Sequence, residues 1–88
     1  MSDPRALFAH RVRAGVVAYL WDQGAADFAT LAAALEVANN QLSGHLDRLE
    51  QGGVIQRRRG FLGRKPRTTV VLTTDGRAAW RRHLDGSP

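Results

Sequence analysis

The 88-residue sequence has no cysteine, which removes disulfides as a stabilising device and thiolates as ligands for a structural zinc. Its three histidines, His10, His45 and His83, stand without ligand-like spacing, so neither a metal nor a cofactor is expected. Long apolar runs are missing too. Nothing approaches the roughly 20 residues that cross a bilayer, and the N-terminus lacks the apolar core of a secretory signal. A soluble cytoplasmic protein without a membrane partner is the expectation. There is no Ser/His/Asp arrangement, no paired carboxylates and no glycine loop of the phosphate-cradling kind, so no catalytic residues are assigned and an enzyme is not expected.

Lysine is nearly absent: Lys65 is the only one among thirteen cations. Acid is absent where the cations are densest, because Arg57, Arg58, Arg59, Arg64, Lys65 and Arg67 fall within one stretch free of Asp and Glu. The formal net charge is +5. Clustered cation of this kind suits a polyanionic partner, and the planar arginine fork suits phosphate and guanine. A plain solvated basic surface is the alternative. The 43% hydrophobic content argues for a folded chain rather than a disordered one. Residues 1–88 are read as a single small domain, too small to bury a large core, so oligomerisation is the remaining source of extra stability.

Local signals give an order of elements. A first helix is predicted from a start at Ser2-Asp3-Pro4 to about Trp21, with Leu7, Val12, Val16, Tyr19 and Leu20 as its apolar stripe and Gln23-Gly24 as its end. Asp27 caps a second helix carrying Phe28, Leu31, Ala32 and Leu35. Glu36-Val37 makes a turn, and Asn39 is the expected cap of a third helix with Leu42, Leu46 and Leu49 on one side. Asn40, Gln41, Gly44, Asp47, Arg48 and Gln51 lie roughly opposite. Gly52-Gly53 stops that helix. Strands are predicted over Val54–Arg59 and Thr68–Leu72, joined by an eight-residue projecting loop from Gly60 to Arg67 in which Phe61 and Leu62 pack back on the body. Thr73 or Thr74 caps a last helix bearing Ala79, Trp80 and Leu84, and Gly86-Ser87-Pro88 is a frayed end.

The fold class is therefore α+β and mainly α: three helices, a two-stranded β wing and a C-terminal helix, in the order of a winged helix-turn-helix. Leu42-Ser43-x-His45-Leu46-x-x-Leu49-Glu50-x-Gly52, Gly60-Phe61-Leu62-Gly63-Arg64-Lys65-Pro66-Arg67-Thr68 and Leu72-Thr73-x-x-Gly76-Arg77-Ala78 resemble the recognition helix, wing and last-helix junction of winged helix-turn-helix regulators. The likeness is to the MarR/ArsR type, in particular its small single-domain MarR-like members, and runs roughly from His10 to Leu84. Departures are Glu36 for the usual turn glycine, Ala38 for the usual Ser/Thr cap, Gly53 for a large apolar residue, and Asp47 where a cation is usual.

The resemblance implies a bacterial transcriptional regulator that binds double-stranded DNA as a homodimer. Asn39, Asn40, Gln41, Ser43, Gly44, His45 and Arg48 of the third helix, with Arg64, Lys65 and Arg67 of the wing, are the candidate DNA contacts. The resemblance also implies dimerisation through the first and last helices, for which Phe8, Tyr19, Trp21, Trp80 and Leu84 are available. Asp47 threatens repulsion of phosphate unless it pairs with Arg48 or accepts from a cytosine amine. It also supports the rival expectation, a winged helix turned to protein–protein interaction.

Overall fold

The computed structural model describes residues 4–86, with Pro4 and Arg5 described in backbone only; the expected start at Ser2-Asp3 and the end at Ser87-Pro88 lie outside that range. Its elements are α1 (Pro4–Phe8), α2 (Arg11–Gln23), β1 (Ala25–Asp27), α3 (Phe28–Leu35), α4 (Asn39–Gln51), β2 (Ile55–Leu62), β3 (Lys65–Leu72) and α5 (Thr74–Leu84).

The single first helix expected from the sequence is two helices. The chain is extended at His10, whose imidazole Nδ1 accepts from the Val12 N–H at 3.1 Å and caps α2. Arg13 Nε reaches back to donate to the Leu7 carbonyl at 2.8 Å, placing a cation on the free carbonyl end of α1. The break lets Leu7 and Phe8 turn into the core instead of following the stripe of α2. Phe8 meets Trp80 edge-on at 5.1 Å between ring centroids, and His83 stacks on Trp80 at 5.0 Å.

The helix-helix turn is closed by Glu36 in a left-handed conformation, φ 53° and ψ 50°, with the Val37 N–H donating to Ala32 O at 3.0 Å. A non-glycine residue held there costs on the order of 1 kcal/mol. Asp27 caps α3 as the sequence indicates, its carboxylate accepting from the Thr30 N–H at 2.7 Å. That bond holds the Asp27 carboxyl below its ordinary pKa.

The sheet has three strands rather than two, in the order β1-β3-β2. β1 is an addition that its sequence, Ala-Ala-Asp, does not advertise; it pairs antiparallel with the inner end of β3, Ala25 opposite Val71 and Asp27 opposite Thr69. β2 and β3 pair along their whole lengths, from Ile55 opposite Leu72 to Leu62 opposite Lys65. The expected eight-residue loop is therefore a two-residue turn at Gly63-Arg64, and the strands run on through Gly60 and Pro66. Gly63 takes φ 64° while Arg64 keeps a negative φ, the pattern of a II′ hairpin turn. Pro66 is tolerated because β1 stops at Asp27, leaving the outer edge of β3 without a partner there.

Leu20, Leu31, Leu42, Leu46, Leu49, Ile55, Val16, Val17 and Val70 are fully buried and join three helices, α2, α3 and α4, to the inner face of the sheet. α5 begins with Thr73, whose hydroxyl accepts from the Gly76 N–H at 2.8 Å. Gly76 touches the Val54 carbonyl so closely that a β-carbon there would collide with it, so glycine sets how near α5 approaches the chain just before β2.

Candidate nucleic-acid interface

α4 buries one side and exposes the other. Leu42, Leu46 and Leu49 are sealed in the core, whereas Asn39, Asn40, Gln41, Gly44, Asp47, Arg48 and Gln51 face solvent; Ser43 and His45 are half-buried at the margins. The capping position is Ala38, not Asn39, and no side chain caps the helix. Asn40 Oδ1 instead accepts from the adjacent Gln41 N–H at 3.0 Å. A helix start without a side-chain cap keeps N–H groups available to an anion. Gly44 has open space where a side chain would stand, so the α4 backbone can be approached closely at that point.

The wing supplies the charge. Partners across the ladder share a face, so Arg57, Arg59 and Phe61 line one side of the hairpin with Val70, Thr68 and Pro66, and Arg58, Gly60 and Leu62 line the other with Thr69, Arg67 and Lys65. Phe61 and Leu62 do not pack on the body as expected: they are 76% and 65% exposed. The hairpin continues past the end of β1, which leaves both side chains near its tip, Leu62 bordering an open hollow of about 410 Å³ shared with Phe28 and Ala29 of α3.

Two wing arginines are engaged within the fold. Arg57 Nη2 lies 2.6 Å from both Asp47 Oδ1 and Glu50 Oε1, and Arg57 Nε donates to Glu50 Oε1 at 2.9 Å. The Arg57 backbone N–H donates to Glu50 Oε2 at 3.3 Å. Asp47 is thus paired across the fold by Arg57, not by its neighbour Arg48. The guanidinium holds the Glu50 carboxyl below its ordinary pKa. Arg67 is the second, 3.5 Å from Asp27. Among the described residues, Arg58, Arg59, Arg64 and Lys65 are exposed with no acid in salt-bridge range.

Two histidines that are distant in sequence come together. The rings of His10 and His45 are 4.1 Å apart between centroids, and Arg13 Nη1 lies 3.4 Å from His45 Nδ1. Burial pushes the His45 imidazole below its ordinary pKa, and His10, Arg13 and Arg48 push it the same way. His45 therefore ties α4 to the start of α2 as well as bordering the exposed face.

The residues expected between subunits are divided. Phe8 and Trp80 are 4% and 6% exposed and serve the chain's own core, Tyr19 is partly buried against it, and Trp21 and Leu84 are 38% and 57% exposed. The Arg77 guanidinium sits 5.9 Å from the Trp21 ring centroid. Leu84 lies seven residues beyond Arg77, on the same side of α5. No helix among the described residues is long and apolar enough to cross a membrane.

The model of the winged helix DNA-binding domain matches residues 12–86, which include α3, α4, the wing and α5. The chain belongs to the winged helix DNA-binding domain family. Among solved structures, it is similar to a MarR-family transcriptional regulator from Silicibacter pomeroyi, with 29% identity and a TM-score of 0.72, covering 89% of this chain and 51% of that one. A transcriptional regulator homologue from Pyrococcus horikoshii OT3 has 24% identity and a TM-score of 0.75, over 92% of this chain and 87% of that one. AbfR, in a DNA-bound crystal structure, has 22% identity and a TM-score of 0.79, over 92% of this chain and 61% of that one. At those two identities the likeness is one of fold. The chain thus spans most of the Pyrococcus protein but about half of the Silicibacter one. No curated protein matches it.

Proposed function

We propose that this winged helix is a sequence-specific, double-stranded DNA-binding transcriptional regulator, acting as a homodimer in the bacterial cytoplasm by binding rather than catalysis. The observation that carries the reading is the distribution of paired and unpaired charge. Both acids in the C-terminal half of α4 are taken up by Arg57, while four wing cations face outward without partners among the described residues. Such a surface presents polar hydrogen-bonding groups on the helix and positive charge on the hairpin, which is the division between base reading and phosphate gripping.

In this reading Asn39, Asn40 and Gln41 meet base edges in the major groove, with Gly44 allowing close approach. Ser43, His45 and Arg48 border the groove and meet phosphate. Arg64, Lys65 and Arg67 engage the adjacent minor groove or backbone, where concentrated negative potential favours arginine. A second copy joins through the strip formed by Trp21, Arg77 and Leu84, setting two recognition helices roughly 34 Å apart on a near-palindrome. The protein-interaction reading loses its main support, because Asp47 is already paired with Arg57.

Selection of bound fragments from random duplex DNA, followed by titration at several salt concentrations, tests this. The expected result is enrichment of an inverted repeat and a steep loss of affinity with salt, set by about 4–6 phosphates per protomer. Absence of duplex binding even at low salt would contradict it.

A further inference from the structure

The wing tip combines two features that one partner must satisfy together. Among the described residues Arg58, Arg59, Arg64 and Lys65 carry unpaired positive charge, yet between them stand Phe61 and Leu62, two of the four large apolar side chains left exposed there. Phosphate can satisfy the cations but gives nothing to a phenyl ring or an isobutyl group. Residues 55–72 include no acid, so two such wings repel each other.

We propose that Phe61 and Leu62 form an apolar wedge, which the surrounding cations drive into the minor groove so that it widens and the duplex bends. This rests on the DNA-binding reading above and adds a mechanical consequence to it. Phe61 and Leu62 are consecutive residues of β2 and so project from opposite faces of the hairpin. A two-stranded ribbon with side chains on both faces is about 10 Å thick. An undistorted minor groove is about 6 Å wide. The tip therefore enters only if the groove opens, and apolar side chains set against partly unstacked bases offset that deformation. The support is rigid: the turn has two residues, Gly63 has the positive φ that a II′ turn requires, and Pro66 stands across from Phe61. A flexible loop would fold away from the groove. A paired ribbon holds the wedge in place.

The test measures binding and bending separately. A mixed-sequence duplex of about 30 base pairs, with donor and acceptor dyes at its ends, reports end-to-end distance by energy transfer while anisotropy reports binding. A second duplex carries 2-aminopurine to report unstacking. The full chain is expected to shorten the distance, by a bend of about 20–90°, and to raise the 2-aminopurine signal. Phe61→Ala with Leu62→Ala, at exposed positions that leave the core untouched, is expected to lose both signals even on duplex that anisotropy shows to be saturated with protein. Each single variant is expected to lose part of them. Binding by the parent with no change in distance or stacking would overturn the wedge and leave the DNA reading standing. So would a double variant that bends the duplex as the parent does. Failure to bind any duplex, with Phe61-dependent attachment to anionic phospholipid vesicles instead, would overturn both readings.

Discussion

The exposed helix α4 and the wing are neighbours built on opposite electrostatic plans. α4 contains Asp47 and Glu50 against Arg48 alone, whereas the β2–β3 hairpin contains six cations and no acid. The helix offers amides and an uncapped start, and the wing offers charge. Neither element would suffice for binding by itself: amides on a helix can discriminate among bases without much attraction, and a cationic hairpin attracts every duplex without discrimination. Arg57 joins the two plans. It leaves the wing's pool of free cations to cancel the acids of the helix, and its contacts with Asp47 and Glu50 tie the root of the hairpin to the C-terminal half of α4.

The largest effect that would sharpen this contrast comes from the wing tip. Arg64→Ala with Lys65→Ala is expected to weaken binding to cognate and random duplexes alike, on the order of 30-fold near 0.1 M salt. The same pair should flatten the plot of log affinity against log salt by about 2 per protomer. A loss confined to the cognate site would give the wing a reading role and break the contrast.

Arg57→Ala comes next, because it exposes two carboxylates toward the duplex while removing a cation that was never free. Roughly tenfold weaker binding is expected, a change of about 1.4 kcal/mol. Adding Asp47→Asn should restore most of it, and a double-mutant cycle checks the coupling. Additive losses would mean that Arg57 touches DNA directly.

Asn40→Ala is expected to cost about 1 kcal/mol on the cognate site, the lower end for one bidentate base contact, and almost nothing on random duplex. Competition between the two duplexes measures it. Equal losses on both would move Asn40 from reading to gripping.

The smallest effect concerns stability. The folded state holds the His45 imidazole below its ordinary value, so the unfolded chain takes up the proton first. The stabilisation is complete above about pH 6.5 and is lost as the pH falls through the lower folded-state value. Thermal melts from neutral pH to pH 5 should show a few degrees more loss for the parent than for His45→Gln. Parallel curves would contradict this.

Much of the helical layer was legible because its signals are local. The Leu42-Leu46-Leu49 stripe, the Asp27 cap and the Gly52-Gly53 stop each act within a turn or two, and each stands where the sequence places it. What escaped depended on distant partners. Ala25–Asp27 has no β-branched residue and becomes a strand only because β3 lies beside it. The break at Ala9-His10 has no glycine or proline to mark it; it is stabilised by a ring nitrogen as cap and by Arg13 reaching back from α2. Gly60 and Pro66 imitate loop punctuation inside a continuous ladder, since the outer half of the hairpin has an open edge where proline does no harm. The pairing of Asp47 with Arg57 joins residues on different elements, so helix periodicity gave no sign that this acid was neutralised.

The lack of native cysteine makes the central claim directly measurable. A DNA-cleaving iron chelate can be attached at Ala38→Cys, beside the start of α4, and in a separate protein at Arg64→Cys, on the wing tip. Both positions are exposed. If helix and wing engage one duplex side by side, the two proteins should cut the same site at places about five base pairs apart, half a helical turn. Cutting by only one of them, or cutting at unrelated places along the duplex, would contradict the account.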